Sequence, residues 1–271
     1  MLAGTLSRSS GAGPGTPQGL AVFQNGVRIN ESFGDIVNWA FIPETAIQRL
    51  SLVSSNPIYG LNAIGGALSI DMKNGFTYQG RQAEVLVGSY GRVQGTAEFG
   101  AQDAGRSVYA AADVLNDSGW RDFSSSSRLR RMYVDFGARG DETEYHVNFT
   151  GADNFLGAVA ATPIEMLNQK WSSVYTWPQT THLQLAFLTA NINHSFSDTL
   201  SLQAISYSRG FRQAHVDGNG TDAQPCDPGG ALAGQLCIGD ANTPINQNFP
   251  VPDTISPSAY LGEIVSGTGK F

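Results

Sequence analysis

From Arg81 onward the chain alternates apolar and polar residues with a period of two over long stretches. Val108, Ala110, Ala112 and Val114 fall on one side of an extended segment and Ser107, Tyr109, Ala111 and Asp113 on the other, because successive strand side chains point to opposite faces. Met132, Val134, Phe136 and Ala138 oppose Arg131, Tyr133, Asp135 and Arg139 in the same way, and Tyr145, Val147 and Phe149 oppose His146, Asn148 and Thr150. Less regular strands are predicted over about 83–89, 93–101, 183–196 and 200–212. In the last two the apolar phase changes midway, near Phe187-Leu188 and Ala204-Ile205, which predicts a β-bulge in each.

The connections carry more architectural information than the strands. Segments 102–105, 140–143 and 197–199 are tight, whereas 116–127, 155–181 and the stretch from 214 are long, so short and long alternate. An up-and-down barrel crossing an outer membrane has short turns on one side and long loops on the other. A strand of about ten residues, rising ~3.3 Å each and tilted ~45°, climbs about 23 Å and matches the ~25 Å apolar band. A soluble sandwich would also alternate, but with strands of about five or six residues and an outward face rich in Lys and Glu.

Before residue 80 the pattern is different. After an irregular Ser/Gly/Pro-rich start, two short apolar runs flank Asn25-Gly26, a hairpin signal in which both turn positions need positive φ. Pro43-Glu44 predicts a short helix start, a strand follows at about 50–53, and Gly65-Gly66 lets the backbone approach a neighbouring wall that any Cβ would block. This part reads as a small mixed α/β unit.

Charged residues are only 14% of the chain and hydrophobic ones 41%, with 32 glycines making up much of the remainder. With 10% aromatic residues, the composition disfavours a solvated coil. The 16 basic and 23 acidic residues give a net charge of -7, which argues against a general nucleic-acid binder. No run of about 20 apolar residues exists to form a membrane helix, but a mean hydropathy of -0.16 is compatible with barrel strands. The first eight residues lack a basic and apolar export signal, so the protein is not exported or its beginning is missing.

The segment Tyr59-Gly60-Leu61-Asn62-Ala63-Ile64-Gly65-Gly66-Ala67-Leu68-Ser69-Ile70-Asp71-Met72-Lys73 strongly resembles the end of the plug domain of TonB-dependent outer-membrane receptors. Asn25-Gly26-Val27-Arg28-Ile29-Asn30, Trp39 before Ile42-Pro43, and Ala46-Ile47-Gln48-Arg49 match the same family in the same order. Gly88-Ser89-Tyr90-Gly91, Ser118-Gly119-Trp120-Arg121-Asp122 and Tyr175-Thr176-Trp177-Pro178-Gln179-Thr180-Thr181 extend the resemblance downstream to about Arg212. Family plugs usually read Arg-Ile-Glu-Val and then Arg-Gly-Pro, where this chain has Arg49-Leu50-Ser51-Leu52-Val53 and Ser54-Ser55-Asn56. The missing Glu and Arg often join plug to barrel, so a release mechanism built on them is not carried over.

The resemblance implies a mixed α/β plug domain, C-terminal part, over 1–79, followed over 80–271 by antiparallel transmembrane β-barrel strands. About seven strands against the family's roughly 22 imply a chain truncated at both ends and an incomplete barrel forming an open arc, whose strand near 200–212 lacks a partner. It implies residence in the bacterial outer membrane and TonB-dependent active uptake of a scarce nutrient such as a ferric siderophore, by a fragment not expected to transport alone. The implied partners are outer-membrane lipid, the inner-membrane TonB complex and an iron-siderophore or similar ligand, with no nucleic acid and no cofactor. A passive porin-like channel and a soluble β-rich carbohydrate-binding module are the alternatives. The first gives no reason for the unit before residue 80, and the second none for alternating loop lengths.

The residues with candidate chemistry are few. Asn25, Gly26, Tyr59, Gly60, Gly65 and Gly66 form the structural plug signature. Cys226 and Cys237 flank a Gly/Pro-rich loop, where a disulfide would stabilise by roughly 3 kcal/mol through loop entropy; free thiols or metal ligation are the other readings. Trp120, Trp171 and Trp177 sit in or beside long loops, as loop packing, interfacial girdle or ligand-stacking groups. Arg131, Tyr133 and His146 are candidate ligand-facing positions on the inward face. Arg128, Arg130 and Arg131 begin a strand as a basic cluster, either a solvated strand end or a contact for an anionic ligand or lipid phosphate. The histidines lack paired metal spacing, and no nucleophile elbow, paired-carboxylate motif or zinc-protease helix points to an enzyme.

Overall fold

Asn25 and Gly26 take φ values of 47° and 82° and close the two-residue turn between β1 (Leu20–Gln24) and β2 (Val27–Arg28). A primed turn of this kind matches the twist of the paired strands. The computed structural model describes residues 20–31, 36–53, 66–123, 125–157, 161–218, 224–227, 229–231, 233, 236–237 and 262–270. Tyr59, Gly60 and Gly65 of the expected signature lie outside these residues, while Gly66 opens a strand.

β1 runs parallel to β4 (Gly66–Met72), and β3 (Ile47–Val53) pairs antiparallel with the other edge of β4, giving a four-stranded sheet of order β2-β1-β4-β3. The helical part of the mixed unit is smaller than expected. Among the described residues up to 79 it consists of 3-10 turns at Trp39–Phe41 and Glu44–Ala46, with no α-helix. Three residues after Pro43 cannot repay a helix nucleus, and β-branched Ile47 enters strand pairing opposite Met72 instead.

The remaining long strands form a second sheet: β5 (Gly80–Val87), β6 (Val93–Asp103), β7 (Arg106–Asp117), β8 (Ser127–Arg139), β9 (Thr143–Gly157), β10 (Thr180–Ser197) and β11 (Leu200–Gly218). Each pairs antiparallel with its sequence neighbour. A helix of six residues, α1 (Ile164–Gln169), lies in the connection before β10, and a separate ribbon pairs β12 (Gln224–Pro225) with β13 (Leu236–Cys237). The expectation that the strand near 200–212 lacks a partner is corrected. β14 (Gly262–Lys270) pairs antiparallel with it from Gly210 to Gly218, so the sheet has eight strands. Three glycines within β14 hide its alternation from a sequence reading. Among the described residues β5 and β14 are the edges and the sheet does not close.

The two expected bulges are absent. Register runs unbroken through Phe187-Leu188 and Ala204-Ile205, and a shift occurs only between Ser195 and Ser197. The phase change has another cause. Leu183, Leu185 and Phe187 face inward against the small sheet, whereas further along β10 the inward positions turn polar at Thr189 and Asn191. Apolarity changes sides because the inward neighbours change, not because the backbone slips. Strands β6 to β11 are also longer than the ten residues expected: β10 has 18 and β11 has 19. At ~3.3 Å per residue and ~45° tilt, 18 residues climb about 42 Å, well past an apolar band of ~25 Å.

One core joins the sheets. Val22, Val27, Ile29, Phe41, Ile42, Ala46, Ile70 and Met72 pack against Tyr109, Ala111, Tyr133, Leu183, Leu185 and Phe187. Tyr109, Asp113, Tyr133, Asp135 and Asn148 point toward the small sheet, while Val114, Met132, Phe136, Val147 and Leu188 are exposed on the opposite face. The chain from β4 to β5 hugs the large sheet so closely that a Cβ on Gly75 would stand 2.5 Å from the Ala101 and Val108 carbonyl oxygens.

Candidate functional site

The inward face of the large sheet meets the unit before residue 80 through polar links spread over five strands. Gln24 Nε2 donates to Thr150 Oγ1 at 2.8 Å, Asn25 Nδ2 to Tyr133 Oη at 3.1 Å, and Asn154 Nδ2 to the Ala40 carbonyl at 2.7 Å. Arg131 pairs with Asp113 and donates to the Ile42 carbonyl at 3.0 Å. Arg209 donates through both terminal nitrogens to Glu31, at 2.6 and 2.9 Å, and Lys73 meets Glu98 at 2.7 Å beside Tyr109 Oη, which donates to the same oxygen at 2.7 Å. These pairs are mostly buried, so each gains in strength from the low local dielectric and each would leave a costly unpaired charge if one partner were lost.

At the long-loop end a second cluster forms. The Trp120 and Trp171 rings stack with centroids 4.7 Å apart and 9° between planes, and the Arg121 guanidinium lies 4.4 Å from the Trp120 ring centre. Arg121 donates to the Ser173 carbonyl at 2.8 Å and to Thr162 Oγ1 at 3.2 Å, and Lys170 reaches Asp122 at 2.7 Å. The Lys170 ammonium, helped by the Ser172 hydroxyl, holds the Asp122 carboxyl below its ordinary range. Phe123 packs on Trp177 at 5.1 Å. These links tie segments 118–123 and 161–179 of two separate loops together, with the tryptophans exposed.

The six residues expected to face a ligand therefore divide into two groups of three. Trp120, Trp171 and Trp177 sit in the loop cluster and are 40%, 59% and 39% exposed. Arg131 and Tyr133 are buried and engaged by the small sheet, so neither is open while that sheet is in place. His146 lies lower on the same face, with Nδ1 2.9 Å from Asp135 and Nε2 3.0 Å from Glu144. Cys226 is buried and disulfide-bonded, and the chain's other cysteine, Cys237, stands on the strand paired with its neighbours. Asn25 does more than turn the chain: its Oδ1 accepts from the Met72 amide at 2.9 Å, so one side chain links hairpin, β4 and wall.

Glu31, Lys73, Glu98, Asp113, Asn154 and Arg209 were missed as site residues by sequence reasoning. A signal existed for the wall residues: Glu98, Asp113 and Arg209 each interrupt an alternating strand with a charge on its inward side. Glu31–Arg209 and Lys73–Glu98 are two ion pairs that join the unit before residue 80 to the wall.

The fold is similar to that of solved structures of TonB-dependent siderophore and metal receptors. No protein-family model matches the sequence, and no curated protein does. Among solved structures, the chain is similar to the closed form of the ferric-catecholate import receptor Fiu from E. coli K12, with a TM-score of 0.60 at 12% identity, over 92% of this chain and 34% of that one. It is similar to the siderophore receptor PiuA from Acinetobacter baumannii, with a TM-score of 0.59 at 12% identity, over 74% of this chain and 30% of that one. The copper transporter OprC matches with a TM-score of 0.54 at 12% identity, over 79% and 32% of the respective chains. The chain thus spans about a third of the length of the structures it matches.

Proposed function

We propose that this chain forms the inner plug, over 1–79, and wall strands of the barrel, from 80 onward, of a TonB-dependent receptor in the bacterial outer membrane. The observation that carries the reading is the seam: a separate mixed sheet occupies the inward face of the wall through a core and a set of charge pairs. A passive channel has no use for such an occupant. A soluble carbohydrate-binding module has no use for exposed Val114, Met132, Phe136, Val147 and Leu188 on the opposite face. The proposed activity belongs to the whole receptor: uptake of a scarce nutrient such as a ferric siderophore, driven by the inner-membrane TonB complex. Trp120, Trp171 and Trp177 would meet the ligand first, with Arg121 supplying positive charge beside the stacked rings.

The test is growth. Cells dependent on the full-length gene product should use a ferric siderophore under iron starvation only when TonB is present, and should lose that growth when the gene is deleted. Equal uptake without TonB would overturn the energy-coupled reading and restore the passive channel.

A further inference from the structure

We infer that His146 is a proton-dependent latch on the link between the two sheets: as an imidazolium it holds the chain at 73–79 against the wall, and as a neutral ring it releases it. Both ring nitrogens meet carboxylates, Nδ1 at 2.9 Å from Asp135 and Nε2 at 3.0 Å from Glu144. Ionised carboxylates only accept, so both nitrogens donate, and an imidazole does so only when it carries the extra proton. Glu144 also accepts from Arg139, at 2.7 Å from Nε and 2.9 Å from Nη2. Two carboxylates are thus balanced by two cations.

The seat is shaped for the ring. Gly137 stands opposite His146, and a Cβ there would lie 2.7 Å from the imidazole Cε1 and 2.9 Å from Nδ1. The other inward positions beside the ring are uncharged: Ser107 on β7, opposite Gly137, and Asn191 and Asn193 on β10, opposite His146 and Glu144. Tyr109, opposite Asp135, gives its hydroxyl to Glu98. Among the described residues, then, no further cation faces this pair of carboxylates.

The same cluster grips the link. Phe76 lies between the two cations, its ring centre 4.3 Å from the Arg139 guanidinium carbon, with the His146 ring edge-on at 5.8 Å and 89°. Phe76 follows Gly75, which is pressed on the Ala101 and Val108 carbonyls, and its turn is closed by the Phe76 amide donating to Asn74 Oδ1 at 3.0 Å and the Tyr78 amide to the Asn74 carbonyl at 2.9 Å. The link therefore reaches across the short-turn end from β6 and β7 to β8 and β9.

Loss of one proton undoes the balance. A neutral imidazole has a single N–H and serves one carboxylate. Asp135 is buried and has no other side-chain donor among the described residues, so the ring stays with it. Nε2 then turns a lone pair toward Glu144, the two repel, and Glu144 swings away with Arg139, taking the guanidinium off the Phe76 ring. The hold is complete at low pH and is lost as pH rises through the titration of the ring. The His146 side chain is 12% exposed, enough for protons to reach it.

The latch belongs to the joint and needs no ligand, so TonB-dependent growth can fail without touching it. Hydrogen exchange of peptides covering 73–79 would be measured on the full-length gene product in detergent, as protection relative to each amide's intrinsic rate. Wild-type protection should fall about tenfold between about pH 6 and about pH 9. His146→Gln should show low protection at both, Gly137→Ala should lower it at the acid end by crowding the ring, and His194→Gln, on the outward face, should keep the wild-type profile. Equal wild-type protection at the two pH values, or a wild-type profile in His146→Gln, would overturn the latch. Should the glutamine variant not assemble, Phe76→Leu decides: it leaves the ion cluster whole and should give low protection at both pH values, and a surviving pH dependence would overturn the inference.

Discussion

The strands from β6 to β11 present two faces governed by opposite rules. Inward, charged and amide side chains such as Asp113, Arg131, Asn148, Asn154 and Arg209 are buried and nearly all find partners on the small sheet or on the next strand. Outward, Val114, Met132, Phe136 and Val147 stand exposed with nothing of this chain over them. In an ordinary soluble domain the polar residues would be outside. The inversion teaches that this sheet is built around a polar seam and leaves a row of apolar side chains on its other side uncovered by the chain.

The comparison can be broken most directly at Arg131. Replacing it with Ala leaves Asp113, 1% exposed, without its partner and removes the bond to the Ile42 carbonyl. A loss of about 3–5 kcal/mol in unfolding free energy, read by denaturant titration of the full-length gene product, is expected. The neighbouring outward change Met132→Ala should cost far less, and equal costs would erase the distinction between the faces.

On the outward side the corresponding probe is Phe136→Lys. If lipid covers this face the change should cost about 2–4 kcal/mol in a bilayer, and little in the absence of one. No difference between the two settings would remove lipid from the outward face. Gly75→Ala tests the close approach of the chain entering β5. With two carbonyl oxygens 2.5 Å from the new Cβ, backbone must shift, at an expected cost of about 1–3 kcal/mol in thermal or denaturant unfolding.

The smallest effect concerns the loop cluster. Because Lys170 lowers the Asp122 carboxyl in the folded state, this pairing contributes stability above the ordinary carboxylate range and loses it as pH falls through the lowered value. Tryptophan fluorescence from the Trp120–Trp171 stack should therefore change in acid, and Lys170→Ala should move that change to higher pH. An unshifted transition would detach the stack from the ion pair.

Which face each side chain takes was legible because a period of two admits no intermediate register, and Val108 to Val114 or Met132 to Ala138 state it directly. The Asn25-Gly26 turn was legible for a local reason, since two positive φ values demand such residues. The helix after Pro43 was over-read because strand pairing at Ile47 outweighs a three-residue propensity. β14 was missed because its glycines carry no pattern, and Arg131 and Tyr133 looked open because the alternation names an inward face without saying what fills it. The partners Glu31 and Arg209 are 178 residues apart, a separation at which only the assembled fold brings charges together.

The pairing of β1 has a mechanical consequence. Leu20 to Gln24 lie parallel to Gly66 to Ile70 in five successive rungs, so tension on the chain ahead of Leu20, directed along the strand, loads all those rungs in shear at once. A hairpin pulled open from its end would instead lose its bonds one at a time. Shear makes β1 a stiff tether, and a pull on it is passed whole to the small sheet and from there to the isolated links at Gln24, Asn25, Glu31 and Lys73.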